Sequence, residues 1–236
     1  MKTKRLWAIV PAAGIGSRMQ ADIPKQYLKL QGKTILQCTL ERLASSLAFD
    51  KIVTALNPHD AYWPKLSLNR DNLITVEGGA ERSDSVLNGL KAIADIATAD
   101  DWVFVHDAAR PCVRSADLQN MLAALEGCGH GGILAAPVKD TMKRGDANSC
   151  VDATVERENL WHALTPQVFP FAELFAAYTA ASEQGCKVTD EAMAIERVGG
   201  KVKLVQGSQD NIKITRPEDL QLAELYLQAQ QINSIG

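Results

Sequence analysis

Short apolar runs at residues 6–10, 52–56, 73–76, 102–105, 133–138 and 202–205 alternate with segments whose apolar residues recur at helical spacing. Runs of that length, rich in Val, Ile and Leu, read as strands buried on both faces, the habit of a parallel sheet. The segments at 34–47, 83–96, 116–125 and 171–184 supply the helices needed to cover it. The alternation predicts a doubly wound α/β fold with a mostly parallel sheet. Thr215, with Glu218 three residues on, predicts a capping box ahead of a helix at 220–227, and Thr189 followed by Asp190 and Glu191 predicts a similar start. No repeat, low-complexity tract or Pro/Ser-rich linker divides the 236 residues, so they read as one domain.

Composition narrows the function. The chain is 46% hydrophobic and 22% charged, an ordinary soluble balance, and its formal charge of −3 offers no general surface for nucleic acid or anionic membrane. Any basic site must therefore be local. Lys2, Lys4 and Arg5 precede an apolar run that Pro11 ends after five residues, too short for a secretory leader. Nothing approaches the roughly 20 apolar residues of a membrane span. Cys38, Cys112, Cys128, Cys150 and Cys186 are odd in number and lack CxxC or CxxH spacing, so they read as reduced thiols of a cytoplasmic protein.

Residues 139–157, KDTMKRGDANSCVDATVER, are mostly polar, with a turn cluster at 145–149 between two strand-like stretches. This predicts a protruding β-hairpin. An isolated hairpin is marginal in water, so the segment is either a loose insertion or an arm that packs on another subunit.

In an open α/β sheet, ligands bind beyond the carboxyl ends of the strands, so the loops there carry the chemistry. The first, PAAGIGSRMQADIPKQY at 11–27, begins like GxGxxG, but Met19 occupies the third glycine position and weakens a dinucleotide reading. Small residues there let backbone amides approach a ligand, while Arg18 and Lys25 add cations that a neutral turn does not need. In GGAERSDSV, 78–86, Ser85 can offer a hydroxyl to a base or phosphate, although helix capping accounts for Ser83 or Ser85 equally well. VFVHDAARP, 103–111, sets Asp107 at the end of a strong strand, suited to Mg²⁺ or to a buried hydrogen-bonded role, with Arg110 as a fork for an anion. His106 reads as structural, because no other histidine sits at metal spacing. In DNIKITRPEDL, 210–220, strand alternation puts Lys213 opposite Ile212 and Ile214, facing either water or a phosphate.

Together, PAAGIGSRM, PKQY, Gly78 to Val86, VHDAARP, APVKDTMKR and DNIKITRPEDL resemble the 2-C-methyl-D-erythritol 4-phosphate cytidylyltransferases over nearly the whole chain. The resemblance implies a Rossmann-like nucleotidyltransferase domain that joins CTP to methylerythritol phosphate, releasing pyrophosphate, on the non-mevalonate route to isoprenoids. It implies Mg²⁺ or another divalent cation, held by Asp107 with Asp210 as second ligand. Ala12, Ala13, Gly14, Gly16, Gly79, Ala80 and Ser85 would hold CTP, and Arg18 and Lys25 would act on the transition state. Asp107, Arg110, Thr141, Arg157, Thr165, Thr189 and Lys213 would surround the polyol phosphate. The hairpin would cross to a second subunit of a homodimer, so that Thr141 and Arg157 serve the neighbour's site. Ala80 stands where relatives carry an acidic residue.

Attack of a phosphate oxygen on a nucleoside triphosphate brings two anions together, so cations at the phosphorus centre suffice and no protein nucleophile is required. Three rivals remain at this level: a cytidylyltransferase for another polyol such as ribitol 5-phosphate, an NAD-dependent dehydrogenase, which Met19 disfavours, and an inert nucleotide-binding module, which Arg18, Lys25 and Asp107 disfavour.

Overall fold

The computed structural model describes residues 4–14, 19 and 23–232. The chain runs β1 (Leu6–Pro11), β2 (Lys29–Leu30), β3 (Lys33–Thr34), α1 (Ile35–Ser46), β4 (Lys51–Leu56), β5 (Leu73–Glu77), α2 (Arg82–Ile93) and β6 (Trp102–Val105). It continues through α3 (Ser115–Leu125), β7 (Gly132–Pro137), β8 (Met142–Gly145), β9 (Val151–Val155), β10 (Trp161–Pro170), α4 (Phe171–Glu183), α5 (Glu191–Arg197), β11 (Lys203–Gln206) and α6 (Pro217–Ile232). Every apolar run singled out in the sequence falls on a strand of the main sheet.

That sheet has seven strands in the order β11-β7-β10-β6-β1-β4-β5. All pairings are parallel except those of β10, which runs antiparallel to both β6 and β7. Strand alternation divides the core into two layers. Trp7 and Ile9 of β1 pack with α2, α4 and α5 on one face, and Ala8 and Val10 pack with α1 and α3 on the other. All four side chains are essentially sealed from water, and each large one contributes about 1.5–3 kcal/mol through its burial. A third cluster seats α6 through Ala223 and Leu227 on Leu30, Ile35 and Ile214.

The chain order reverses at β1: β4 and β5 extend the sheet on one side and β6 on the other. The crevice at that reversal, between the carboxyl ends of β1 and β6, is where such sheets bind ligands. Strand β10 has no counterpart among the sequence expectations, because Thr165, Pro166 and Gln167 interrupt any apolar run. Its register with β7 shifts between Ala163 and Gln167. Since β10 runs against its neighbours, its first residues lie at the same sheet edge as the last residues of β7. The intervening β8–β9 hairpin therefore leaves the sheet on the ligand-binding side. The expected hairpin is present, exposed along most of its length, and absent from all three core clusters.

Two helix starts differ in detail from expectation. Ahead of α6, Asp219 and not Glu218 closes the turn, accepting from the Thr215 amide at 2.8 Å and its hydroxyl at 3.0 Å. At α5, Asp190 caps by accepting from the Met193 amide at 3.0 Å, whereas the Thr189 hydroxyl faces Met193 Sδ. Among the described residues, no helix is long and apolar enough to cross a membrane.

Candidate active site

Loops following β1, β5 and β6 and the segment before α6 converge on a cleft of about 180 Å³. Its walls include Ala12, Ala13, Gly14, Lys25, Gly79, Ala80, Ser85, Asp107 and Lys213, nine of the residues expected from sequence. Gly16 and Arg18 lie outside the described residues.

The first wall is held from below. Gln26, almost wholly buried, donates from Nε2 to the Ala12 carbonyl at 2.7 Å, and the Ala12 amide donates to Ala55 at 2.8 Å. Gly78 passes so close that a Cβ would stand 2.3 Å from the Ala13 Cβ and 2.9 Å from Ser85 Oγ. Only glycine allows that approach. Ser85 Oγ accepts from the Gly79 amide at 3.1 Å and donates to the Glu81 carbonyl at 3.3 Å, so the loop after β5 is fastened to the first turn of α2. Lys25 donates to the Ile214 carbonyl at 3.1 Å, which joins the loop after β1 to the segment before α6.

Asp107 forms the floor, with three cations on its carboxylate. Arg82 Nε lies 3.0 Å from Oδ1; Lys213 Nζ lies 2.8 Å and Arg110 Nε 3.4 Å from Oδ2. Burial alone would raise its pKa, but Arg82, Lys213 and Arg110 outweigh that and hold the group well below the usual carboxylate range. Arg110 also donates to the Asn211 carbonyl at 2.7 Å, so it stands beside the cleft rather than in its wall.

Behind the floor, Thr165 is buried, and its hydroxyl accepts from the Asp107 amide at 3.1 Å while meeting His106 Nδ1 at 3.0 Å. It orients the Asp107 loop and does not line the cleft. His106 is sealed inside with its other ring nitrogen 3.0 Å from the Arg110 carbonyl, and burial lowers its pKa to about 4. This agrees with the structural role expected of it. Thr189 is exposed outside the cleft lining, as are Thr141 and Arg157 at the root of the hairpin, where Arg157 donates to the Lys139 carbonyl.

Asp210, expected as the second metal ligand, is absent from the described cleft lining. Arg114 grips its carboxylate at 2.7 and 2.9 Å, and Gln230 donates to it at 3.0 Å, away from the cleft lining. Among the described residues, no group of three or more His, Cys, Asp or Glu side chains is arranged to hold a metal ion. Besides Asp107, the carboxylate in the lining among the described residues is Glu81, which Lys187 engages at 3.0 Å. Asp107 offers Mg²⁺ an oxygen donor, with the remaining positions left to phosphate oxygens and water, where Lys213 or Arg110 gives up its contact with Oδ2.

Sequence reasoning gave no part in the site to Arg82, Glu191, Tyr178 or Gln26. Arg82 forks onto Glu191, with contacts of 2.7 and 3.2 Å, and Tyr178 donates to the same carboxylate at 2.7 Å. Burial opposes the charge of Arg82, yet Glu191 and Asp107 hold its pKa well above the ordinary value. Arg82 stood within the GGAERSDSV motif, so its position was visible. Glu191 was hidden because an acid in the first turn of a helix reads as an electrostatic ornament.

Comparison with known proteins gives a consistent result. The family model described as IspD, 2-C-methyl-D-erythritol 4-phosphate cytidylyltransferase, matches residues 6–229. A protein of that name from Pseudoalteromonas atlantica is 53% identical over 97% of this chain and 98% of its own length. One from Aliivibrio fischeri is 52% identical over 94% and 93%. The crystal structure of the Francisella tularensis 2-C-methyl-D-erythritol 4-phosphate cytidylyltransferase superposes with a TM-score of 0.83 at 39% identity, covering 94% of this chain and all of that one.

Proposed function

The chain belongs to the 2-C-methyl-D-erythritol 4-phosphate cytidylyltransferase family, and from that premise we propose how its own residues divide the work of the cleft. The enzyme transfers CMP from CTP to 2-C-methyl-D-erythritol 4-phosphate, forming 4-diphosphocytidyl-2-C-methyl-D-erythritol and pyrophosphate for isoprenoid synthesis; another polyol phosphate such as ribitol 5-phosphate is not favoured.

The observation that carries the assignment of roles is the excess of cations around one carboxylate: among the described residues, Lys25, Arg82 and Lys213 line a cleft whose acids are Asp107 and Glu81. Such a site suits a polyanion. Ala12, Ala13, Gly14, Gly16, Gly79, Ala80 and Ser85 receive CTP, the small side chains admitting the phosphates and base to the backbone. With an acidic side chain missing at Ala80, selection of cytosine falls to backbone groups of that loop. Arg18 and Lys25 stabilise the charge that builds on the departing pyrophosphate. Lys213 and Arg110 turn from Asp107 to the attacking phosphate. Asp107 would hold the Mg²⁺, which when bound neutralises phosphate charge and favours in-line displacement.

Thr165 acts by setting the Asp107 loop, and Thr189 borders the entry to α5 on the polyol side. Thr141 and Arg157 reach the polyol phosphate of a second protomer through the hairpin, in a homodimer with exchanged arms. The exposed, core-free hairpin on the ligand side of the sheet supports this reading. We place the enzyme in the cytoplasm on its reduced-thiol composition.

The test is pyrophosphate release from CTP and Mg²⁺ with each candidate polyol phosphate, where methylerythritol phosphate should turn over fastest. Mixing Arg157→Ala with Lys25→Ala subunits should restore part of the activity each lacks. Verified hybrids without recovery would rule out a shared site.

A further inference from the structure

Glu191 is fully buried, carries a carboxylate, and is not itself part of the cleft lining. Its oxygens receive both terminal nitrogens of Arg82, at 2.7 and 3.2 Å, and the Tyr178 hydroxyl at 2.7 Å. The remaining donor of the same guanidinium, Nε, meets Asp107 Oδ1 at 3.0 Å. These contacts form one chain from α4 through α5 and α2 to the floor of the site: Tyr178, Glu191, Arg82, Asp107.

We propose that Glu191 is a positioning residue for the reaction, acting through Arg82 to fix the Asp107 carboxylate while Lys213 exchanges it for phosphate. This inference rests on reading the cleft as the reaction site.

The argument is one of unequal tethering. Lys213 holds Asp107 through a single flexible ammonium, 36% exposed, and Arg110 through one long contact. Lys213, which lines the cleft, is positioned to leave when a phosphate arrives, whereas Arg110 is anchored on the Asn211 carbonyl at 2.7 Å. Arg82 is planar and engaged at both ends, so its Nε cannot swing away unless the fork on Glu191 opens. The fork is itself pinned, because Glu191 has no solvent to move into and Tyr178 occupies its second acceptor direction. Asp107 thus retains a fixed partner in Arg82 throughout turnover. Glu191 also absorbs the charge of Arg82, which leaves the negative charge of Asp107 available to the partners that change.

The experiment compares wild type, Glu191→Gln, Arg82→Lys and the double variant by kcat and KM for CTP and methylerythritol phosphate, with Tm recorded for each. Glutamine preserves shape but not charge, and lysine preserves charge but not the fork. Loss of an outer partner of this kind typically costs about 10–100-fold in activity. Each single variant should lose kcat by that factor with KM for CTP changed less than about threefold, and the double variant should be no slower than the worse single one. A merely structural role would lower Tm and leave kcat per folded molecule intact. Multiplying losses in the double variant, or a wild-type kcat in Glu191→Gln, overturns the inference. Should Glu191→Gln fail to fold, Tyr178→Phe replaces it in the same cycle; a wild-type kcat in Arg82→Lys is then the overturning result. A wild-type enzyme that releases no pyrophosphate with any polyol phosphate would overturn the functional reading and this inference together.

Discussion

Lys213 Nζ sits 2.8 Å from Asp107 Oδ2, and both groups line the cleft. The cleft thereby supplies an anion of its own to the cation proposed to bind phosphate. Lys213→Ala should raise KM for the polyol phosphate by about 10–100-fold, the worth of one charge-assisted hydrogen bond of roughly 1.5–3 kcal/mol. Initial-rate measurements at saturating CTP check this, and an unchanged KM would separate Lys213 from the phosphate.

Lys25 should behave differently, because the role proposed for it belongs to the moment when charge develops on the leaving group. Lys25→Ala is expected to lower kcat by about 10²–10³ while CTP binding weakens much less. Calorimetric titration with CTP, set beside single-turnover rates, distinguishes the two effects. A near-normal kcat would remove Lys25 from the chemistry.

Gly78 provides a test of the cradle that introduces no change of charge. A methyl group there meets Ala13 at 2.3 Å and Ser85 Oγ at 2.9 Å, so the loops after β1 and β5 must part. Gly78→Ala should destabilise the fold by about 1–3 kcal/mol and raise KM for CTP more than KM for the polyol phosphate. Urea unfolding and steady-state kinetics on one preparation measure both.

His106 makes stability depend on pH. Its pKa falls from 6.5 to about 4 in the folded protein because burial excludes the charged form. Between those values the unfolded chain takes up a proton that the folded chain refuses, so stability is lost as pH falls from about 6.5 to about 4. The loss is on the order of 2–3 kcal/mol. Paired carboxylates also lose stability in acid, so the diagnostic is a comparison: His106→Gln should show a shallower decline than wild type in unfolding free energy between pH 7 and pH 4.5.

What the sequence made legible follows from period and spacing. The two-sided strands were visible because burial on both faces demands continuous apolar runs, as in 6–10 and 102–105. The cradle and Asp107 were visible because they directly follow such runs. Strand β10 was not, since a single antiparallel strand that breaks its own ladder at Thr165 has no periodic signature. Arg82, Glu191 and Tyr178 are brought together from three helices, and no local pattern marks residues whose partners are 25 and 109 positions apart. Asp210 illustrates the converse: its place in DNIKITRPEDL is plain, but its partner Arg114 is 96 positions away.

The β8–β9 hairpin contributes no side chain to any core cluster and pairs only with itself. Its sequence is therefore unconstrained by the folding of the protomer that carries it. In a library saturating positions 142–155, purifying selection on enzyme abundance should be nearly silent, whereas selection on growth through isoprenoid supply should be strict at any position answering to a neighbour. The gap between those two fitness maps would separate the hairpin positions that serve the reaction from those that serve nothing in the protomer's fold.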